Sequence, residues 1–240
     1  MSKICKEHFI SCYLKWVNPM LPLKDNIRSK SFPIVTIGLI VINVAIFFYQ
    51  VMLPPELSRA LVSGFGFIPR RLVEMELSFI PLPFYPLVTF FTSAFFHGNF
   101  IHLAGNMLYL WVFGDNVEDK LGSGKFILFY LVAAAGGSMG HLLSNPVSLQ
   151  PAIGASGAVA GILGAYLIFF PHARVLTLVP IGIIITFIHI PAVIFLGVWI
   201  LLQFLNAGLQ DPDTAVSVAW WAHISGFFLG VLYAITKRVK

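Results

Sequence analysis

The sequence predicts an all-α membrane protein that crosses the bilayer six times, with a long interfacial loop after the first span. Three observations predict this class. The 240 residues are 58% hydrophobic and only 10% charged, whereas soluble domains carry about 25% charged residues. The mean hydropathy is +0.87. Six apolar runs also approach the roughly 20 residues that a helix needs to cross the hydrocarbon core. This composition excludes secreted and nucleic-acid-binding proteins.

Proline and charged residues mark the ends of the predicted spans. Pro54 and Pro55 close the first span, Pro171 stops the fourth, and Pro191 predicts a kink in the fifth. Segment 54–95 is amphipathic and interrupted by prolines, so we expect an ordered loop at the membrane surface. The predicted spans cover residues 32–53, 100–113, 126–143, 154–170, 175–205 and 216–235, with a charged turn at 115–125.

The distribution of basic residues predicts the orientation. Six spans place both termini on one side, and most of the 15 Lys and Arg residues fall on that side. Loops 144–153 and 206–215, on the other side, contain none. Because basic residues favour the cytoplasmic face, both termini are predicted to be cytoplasmic. The predicted organisation is a basic tail over 1–31, a membrane domain over 32–236 and a short C terminus over 237–240.

The two cysteines carry little information. Cys5 and Cys12 lie in the basic tail with His8 between them. A metal site there lacks a clear fourth ligand and a recognised spacing. We interpret them as two reduced thiols, and the sequence predicts no metal or other cofactor.

Polar residues within the spans cluster at one depth. His102 and Asn106 are four residues apart on one face of the second span, Ser156 lies near the start of the fourth, and His223 lies in the sixth. All three spans run inward from the outer surface, so these groups converge in the outer leaflet, with His223 about 10 Å down at about 1.5 Å per residue. Each residue alone is explained by packing or an interhelical hydrogen bond. Together at one depth they predict a functional site.

Small residues recur every fourth position in two spans. They are Gly157, Gly161 and Ala165 in the fourth, and Ala222, Gly226 and Gly230 in the sixth. Such faces allow close backbone contact between membrane helices. If the two faces pack together, Ser156 and His223 both lie at the outer end of the shared seam.

A serine beside an imidazole is the minimum for nucleophilic catalysis, because the base removes the hydroxyl proton as the oxygen attacks a carbonyl. The Asn106 amide, His102 and backbone N–H groups near Ser156 can donate hydrogen bonds to the resulting oxyanion. Other polar groups are interpreted differently. They are His97 and His141, expected to pack or hydrogen-bond near the interface, and Asp211 and Asp213, expected to be solvated loop charges. The predicted arrangement is therefore a dyad.

Three stretches in order carry a family resemblance. They are His97-Gly-Asn-Phe-Ile-His102-Leu-Ala-Gly-Asn106, Gly154-Ala-Ser156-Gly157, and Ala222-His223-Ile-Ser-Gly226-xxx-Gly230. Over about residues 32–236 the chain resembles the rhomboid intramembrane serine proteases, specifically the six-span bacterial type. Trp199-xxx-Gln203 also matches that family.

The resemblance implies roles for these residues. Ser156 would be the nucleophile, His223 the general base, and His102 and Asn106 part of the oxyanion hole. Gly154 would permit the loop-to-helix transition beside the serine, with supporting small residues at Gly157 and Gly226. Substrates would be membrane-anchored proteins cut in or near a transmembrane segment, without metal or ATP. The implied location is a bacterial inner or plasma membrane.

Two departures from the family pattern bear on the structure. Val88-Thr89 stands where many members carry Trp-Arg in the first loop, and Ala160 stands where some members carry an aromatic residue beneath the histidine. The second departure leaves open how the His223 ring is held.

Two other classes of membrane protein share part of this pattern. A catalytically silent rhomboid-like protein that binds transmembrane clients is the alternative, although such relatives typically lose the serine or the histidine. A transporter or channel ranks last, because it predicts charged residues through the full thickness of the membrane.

Overall fold

The computed structural model describes residues 20–74, 85–181, 184–210 and 218–238. Over these residues the chain is mostly helical and carries one small sheet. The helices are α1 (Ile34–Met52), α2 (Pro55–Phe65), α3 (Pro69–Val73), α4 (Tyr85–Thr92), α5 (Phe100–Leu121), α6 (Ser123–Ser144), α7 (Ser156–Phe169), α8 (Ala192–Gly208) and α9 (Trp220–Arg238), with a 3₁₀ turn at Ser93–Phe95. The strands are β1 (Leu21–Asp25), β2 (Arg174–Ile181) and β3 (Ile184–Pro191). The predictions for Cys5, His8, Cys12, Asp211 and Asp213 lie outside the described residues.

Successive long helices alternate in direction. Lys120 near the end of α5 lies 6.0 Å from the ring centroid of Phe169, the last residue of α7. Phe129 in the first half of α6 stacks on Tyr233 in the last turns of α9, with ring centroids 4.7 Å apart. One end of the bundle, called the inner end, therefore holds the ends of α5, α7 and α9 and the start of α6. The opposite, outer end holds the starts of α5, α7 and α9.

The predicted fifth span is wrong over its first half. Strands β2 and β3 form an antiparallel hairpin over the segment predicted as helix, and β1 pairs antiparallel with the other edge of β2. Helix α8 begins only after Pro191, its N-cap residue, so Pro191 marks a boundary rather than a kink. The β2–β3 segment is rich in Ile, Val and Thr, which favour strands. An apolar run alone does not distinguish a strand from a helix, and the fold is consequently not all-α.

The second predicted span is too short. Helix α5 runs through the segment predicted as a charged turn and ends at Leu121. Gly122, with φ of +79°, provides the turn into α6. The last part of α5 can hold a buried charged residue because that residue has hydrogen-bond partners. Glu118 is 1% exposed and accepts hydrogen bonds from groups of α1 and from the Ser123 hydroxyl.

Close contact between α7 and α9 forms the centre of the bundle. A Cβ on Gly226 would overlap the carbonyl oxygen of Gly157, and one on Gly230 would overlap that of Gly161. Helix α6 approaches the same seam, since a Cβ on Gly137 would lie 3.0 Å from the Gly157 Cα. The predicted packing of the two small-residue faces is confirmed.

Two helices within the described chain, α1 and α6, are long and apolar enough to cross a membrane by length and composition. Helices α7 and α8 are apolar but shorter, at 14 and 17 residues. At about 1.5 Å per residue, the 14 residues of α7 span about 21 Å, less than the roughly 30 Å hydrocarbon core. Six crossings therefore remain a prediction.

Candidate active site

Described residues between α1 and α5 anchor the segment that leads into Ser156. Phe67 and Ala152 exchange backbone hydrogen bonds of 3.0 and 2.8 Å. The Gly154 N–H donates to the Ser93 carbonyl at 2.9 Å. Helix α7 then begins at Ser156, which is half-buried at the outer end of the bundle. The first N–H groups of a helix have no partner within it, so α7 presents free donors close to the serine hydroxyl.

Gly154 makes a close approach to the predicted oxyanion-hole residues. Its φ is +128°, a backbone conformation that favours glycine. A Cβ there would lie 2.6 Å from His102 Cε1 and 3.5 Å from Asn106 Nδ2. The structure therefore brings His102 and Asn106 together beside the segment that enters Ser156, as the depth argument predicts.

His97 belongs to the same cluster. Its Nε2 lies 3.0 Å from Asn106 Nδ2 and accepts a hydrogen bond from the Ala155 N–H at 3.4 Å. Its carbonyl oxygen accepts from Gln50 Nε2 at 3.0 Å, and the side chain is fully buried. Hydrogen bonding was the expected role of His97. What the sequence did not indicate is that this histidine orients Asn106.

His223 approaches Ser156 across the α7–α9 seam. A Cβ on Gly157 would lie 3.6 Å from the Ala222 carbonyl oxygen, so the residues adjacent to the predicted pair are in contact. Both Ser156 and His223 are half-buried. The ring of His223 is hydrogen-bonded on its other side, where Nδ1 lies 2.9 Å from Oε1 of Gln203. Within the described structure, no hydrogen bond joins the Ser156 hydroxyl to His223.

A small cavity lies next to Ser156. Its volume is about 30 Å³, and its polar lining includes Ser93, Ser138 and His141. A cavity of roughly 10–15 Å³ with polar partners suffices for one water molecule. His141 was expected only to pack near the interface. The structure buries it, as expected, but against this cavity, and its Nδ1 has no hydrogen-bond partner among the described residues.

Gln203 is the site neighbour that sequence reasoning missed. The pattern Trp199-xxx-Gln203 matches the family, but the resemblance assigns no role to Gln203. A primary amide in an otherwise apolar predicted span is itself a usable signal, because buried polar groups require partners. Among the residues that the structure describes, no group of three or more His, Cys, Asp or Glu is placed to hold a metal ion.

A family comparison matches the part of the chain that contains these residues. The family model described as Rhomboid domain covers residues 86–240. The chain belongs to the rhomboid family. Rhomboid proteins are integral membrane proteins, and the family includes intramembrane serine proteases. The matched range contains the cluster around Gly154 together with α7, α8 and α9.

Individual rhomboids share parts of the chain. Rhomboid protein 1, mitochondrial, of Saccharomyces cerevisiae is 35% identical over 159 residues, which is 62% of this chain and 42% of that protein. Rhomboid protease GluP of Bacillus subtilis is 45% identical over 76 residues, 32% of this chain and 14% of that protein. Rhomboid protease GlpG of an Enterobacter species is 32% identical over 78 residues, 32% of this chain and 28% of that protein. The chain thus spans less than half the length of each of these relatives.

Proposed function

We propose that this rhomboid is an intramembrane serine endopeptidase that cuts membrane-anchored proteins in or near their transmembrane segments. The observation that supports the proposal is the close approach of His102 and Asn106 to Gly154, two residues before Ser156, while the contact of Gly157 with Ala222 brings the start of α9 against the start of α7. In this proposal Ser156 is the nucleophile and His223 the general base. His102 and Asn106 donate hydrogen bonds to the oxyanion.

The proposed reaction proceeds through an acyl-enzyme. Ser156 Oγ attacks the scissile carbonyl carbon while His223 Nε2 takes the hydroxyl proton. The negative charge on the carbonyl oxygen is stabilised by His102, Asn106 and first-turn N–H groups of α7. Collapse of the tetrahedral intermediate breaks the C–N bond, and the amine leaves with the proton from His223. Water, activated by the same imidazole, then hydrolyses the ester and releases Ser156.

The position of the site agrees with the needs of hydrolysis in a membrane. In the proposed orientation the outer end of the bundle lies near the external membrane surface, and the cavity beside Ser156 is large enough for a water molecule. The proposed topology has six helices that cross the membrane, with the predicted tail 1–31 and the C terminus 237–240 in the cytoplasm. It places the protein in a bacterial inner or plasma membrane.

The test is cleavage of a single-span membrane substrate by purified protein in detergent. Wild type is compared with Ser156→Ala, His223→Ala and the control His172→Ala, which removes an exposed histidine at the inner end. We expect wild type and the control to cut equally, and loss of either predicted dyad residue to reduce the rate by several orders of magnitude. Equal cleavage by all four proteins would overturn the proposal.

A second candidate is a client-binding rhomboid without protease activity. The observation that favours it is the missing hydrogen bond between Ser156 and His223. Catalytic hydrogen bonds are often long before substrate binds, so we rank this candidate second. Labelling with a serine-reactive fluorophosphonate separates the two: modification at Ser156 that depends on His223 indicates an activated serine, and no modification favours the client-binding protein.

A further inference from the structure

Gln203 on α8 is a buried amide that makes hydrogen bonds with both of its polar atoms. Its side chain is 1% exposed. Its Oε1 lies 2.9 Å from His223 Nδ1, and its Nε2 donates to the Trp199 carbonyl at 2.8 Å. We propose that Gln203 is a positioning residue that fixes the tautomer and the direction of the His223 imidazole. This inference rests on the proposed function, in which His223 is the general base.

The hydrogen-bond directions determine the tautomer. Because Nε2 of Gln203 donates to Trp199, the amide oxygen is the atom that faces His223. An amide oxygen only accepts hydrogen bonds, so His223 Nδ1 carries the proton. In the neutral ring Nε2 is then unprotonated and has a free lone pair. That nitrogen is the one that has to accept the Ser156 proton. A carboxylate performs this orienting role in serine protease triads; here a neutral amide occupies the equivalent place beside the ring.

Two tryptophans enclose the same ring. The centroids of Trp199 and Trp220 lie 6.1 and 5.8 Å from that of His223, with interplanar angles of 32° and 88°. Trp199 is in turn stacked on Phe227, with centroids 6.0 Å apart. Rotation of the imidazole about its Cβ–Cγ bond would therefore meet aromatic side chains and break the bond to Gln203. These contacts hold the ring in a chain that has Ala160 where some relatives carry an aromatic residue.

Two roles of Gln203 can be distinguished by substitution. It either only stabilises the packing of α8 against α9, or it positions the His223 ring for catalysis. Gln203→Met keeps the length of the side chain and removes the amide. The matched control is Asn206→Leu, which removes another amide from α8 that donates to its own i−4 carbonyl, Leu202, at 2.7 Å. Gln203→Glu retains an oxygen acceptor toward Nδ1 and introduces a negative charge.

The measurement is kcat and KM for a single-span substrate as a function of pH, with the full-length proteins in detergent. We expect Gln203→Met to lower kcat about ten- to a hundredfold, by analogy with the loss of a side chain that orients a metal-bound histidine, with KM within about twofold. Asn206→Leu should match wild type. Gln203→Glu should have a kcat closer to wild type than Gln203→Met does. The acid limb of its plot of kcat against pH should move to higher pH, because a carboxylate beside the ring stabilises the imidazolium. Among the described residues, the other titratable group that interacts with His223 is His102, which is unchanged in every variant.

Three results would overturn the inference: a kcat for Gln203→Met close to wild type, an equal loss in Asn206→Leu, or no recovery in Gln203→Glu. If Gln203→Met fails to fold, the dependence of kcat on pH in Gln203→Glu tests the inference instead. An acid limb at the same pH as in wild type would contradict the positioning role. Cleavage by Ser156→Ala at the wild-type rate would refute the proposed function itself. If wild type cleaves the substrate and Gln203→Met cleaves it equally well, only the role of Gln203 is refuted.

Discussion

Thr36 donates two hydrogen bonds to one carboxylate oxygen of Glu118, from its backbone N–H and from its hydroxyl, each of 2.8 Å. The second oxygen of Glu118 accepts from the Val35 N–H at 3.0 Å and from the Ser123 hydroxyl at 2.7 Å. A single buried carboxylate near the end of α5 thus caps the start of α1 and contacts the start of α6. A negative charge at the N terminus of α1 also complements the helix dipole.

Removing this contact should destabilise the bundle. Thr36→Val deletes one hydrogen bond to a charged group and should cost about 1.5–3 kcal/mol of unfolding free energy. Glu118→Ala should cost more, because several buried donors lose their acceptor together. The control is Glu74→Ala, which breaks the exposed ion pair with Arg70 and should cost less than about 1 kcal/mol. Denaturant titration in micelles measures all three, and equal values for Glu118→Ala and Glu74→Ala would contradict the prediction.

Asn106→Ala should impair the chemical step rather than substrate binding. Loss of one donor to a developing oxyanion typically lowers kcat by about 10²–10³-fold, and KM should change little. Asn145→Ala, which removes an exposed asparagine at the end of α6, is the matched control. Steady-state kinetics with the single-span substrate provide the comparison. A rise in KM at constant kcat would instead indicate that Asn106 binds substrate in its ground state.

Gly154→Ala should inactivate the protein while leaving most of the bundle folded. An alanine there would adopt an unfavourable positive φ, at a cost of about 1–3 kcal/mol, and its Cβ would lie 2.6 Å from His102 Cε1. His102 or Ser156 must then shift. Gly105→Ala on α5, where a Cβ meets nothing within 4 Å, is the control. Wild-type cleavage by Gly154→Ala would show that this close approach does not matter.

Asp25 on β1 should make stability depend on pH. Burial raises its pKa above the ordinary value of 3.8, although hydrogen bonds from Tyr166 and Asn116 oppose the shift. The folded state therefore binds this proton more tightly than the unfolded state. The stability due to this group is present below pH 3.8 and is lost as the pH rises through the raised pKa. Unfolding midpoints across this range should fall with pH more steeply in wild type than in Asp25→Asn, and parallel curves would contradict the assignment.

Much of the helical framework could be predicted from local sequence. The first, third and fourth spans correspond to α1, α6 and α7 within a few residues at either end, because apolar length and proline positions are local properties. The predicted directions of the spans put Ser156 and His223 at one end of the bundle, and in the structure both lie in the first turns of their helices, at the outer end. Their catalytic roles remain predictions that the proposed experiments test.

The sheet and the extension of α5 were not predictable in the same way. Segment 174–191 reads equally well as helix or strand, and its pairing with β1 joins residues such as Val175 and Asp25 that are remote in sequence. The charged residues after position 113 suggested a turn, because nothing local indicates that Glu118 finds its partners on α1.

The sequence by itself determined which residues face one another along the α7–α9 seam and which polar groups lie at the outer end. Helical periodicity and apolar run length fix these properties without reference to the rest of the chain. The tertiary structure alone decided that Phe67 anchors the segment before Ser156, that His97 binds Asn106, and that Gln203 holds His223. Each of these depends on a directional hydrogen bond whose partner is chosen by how the elements pack.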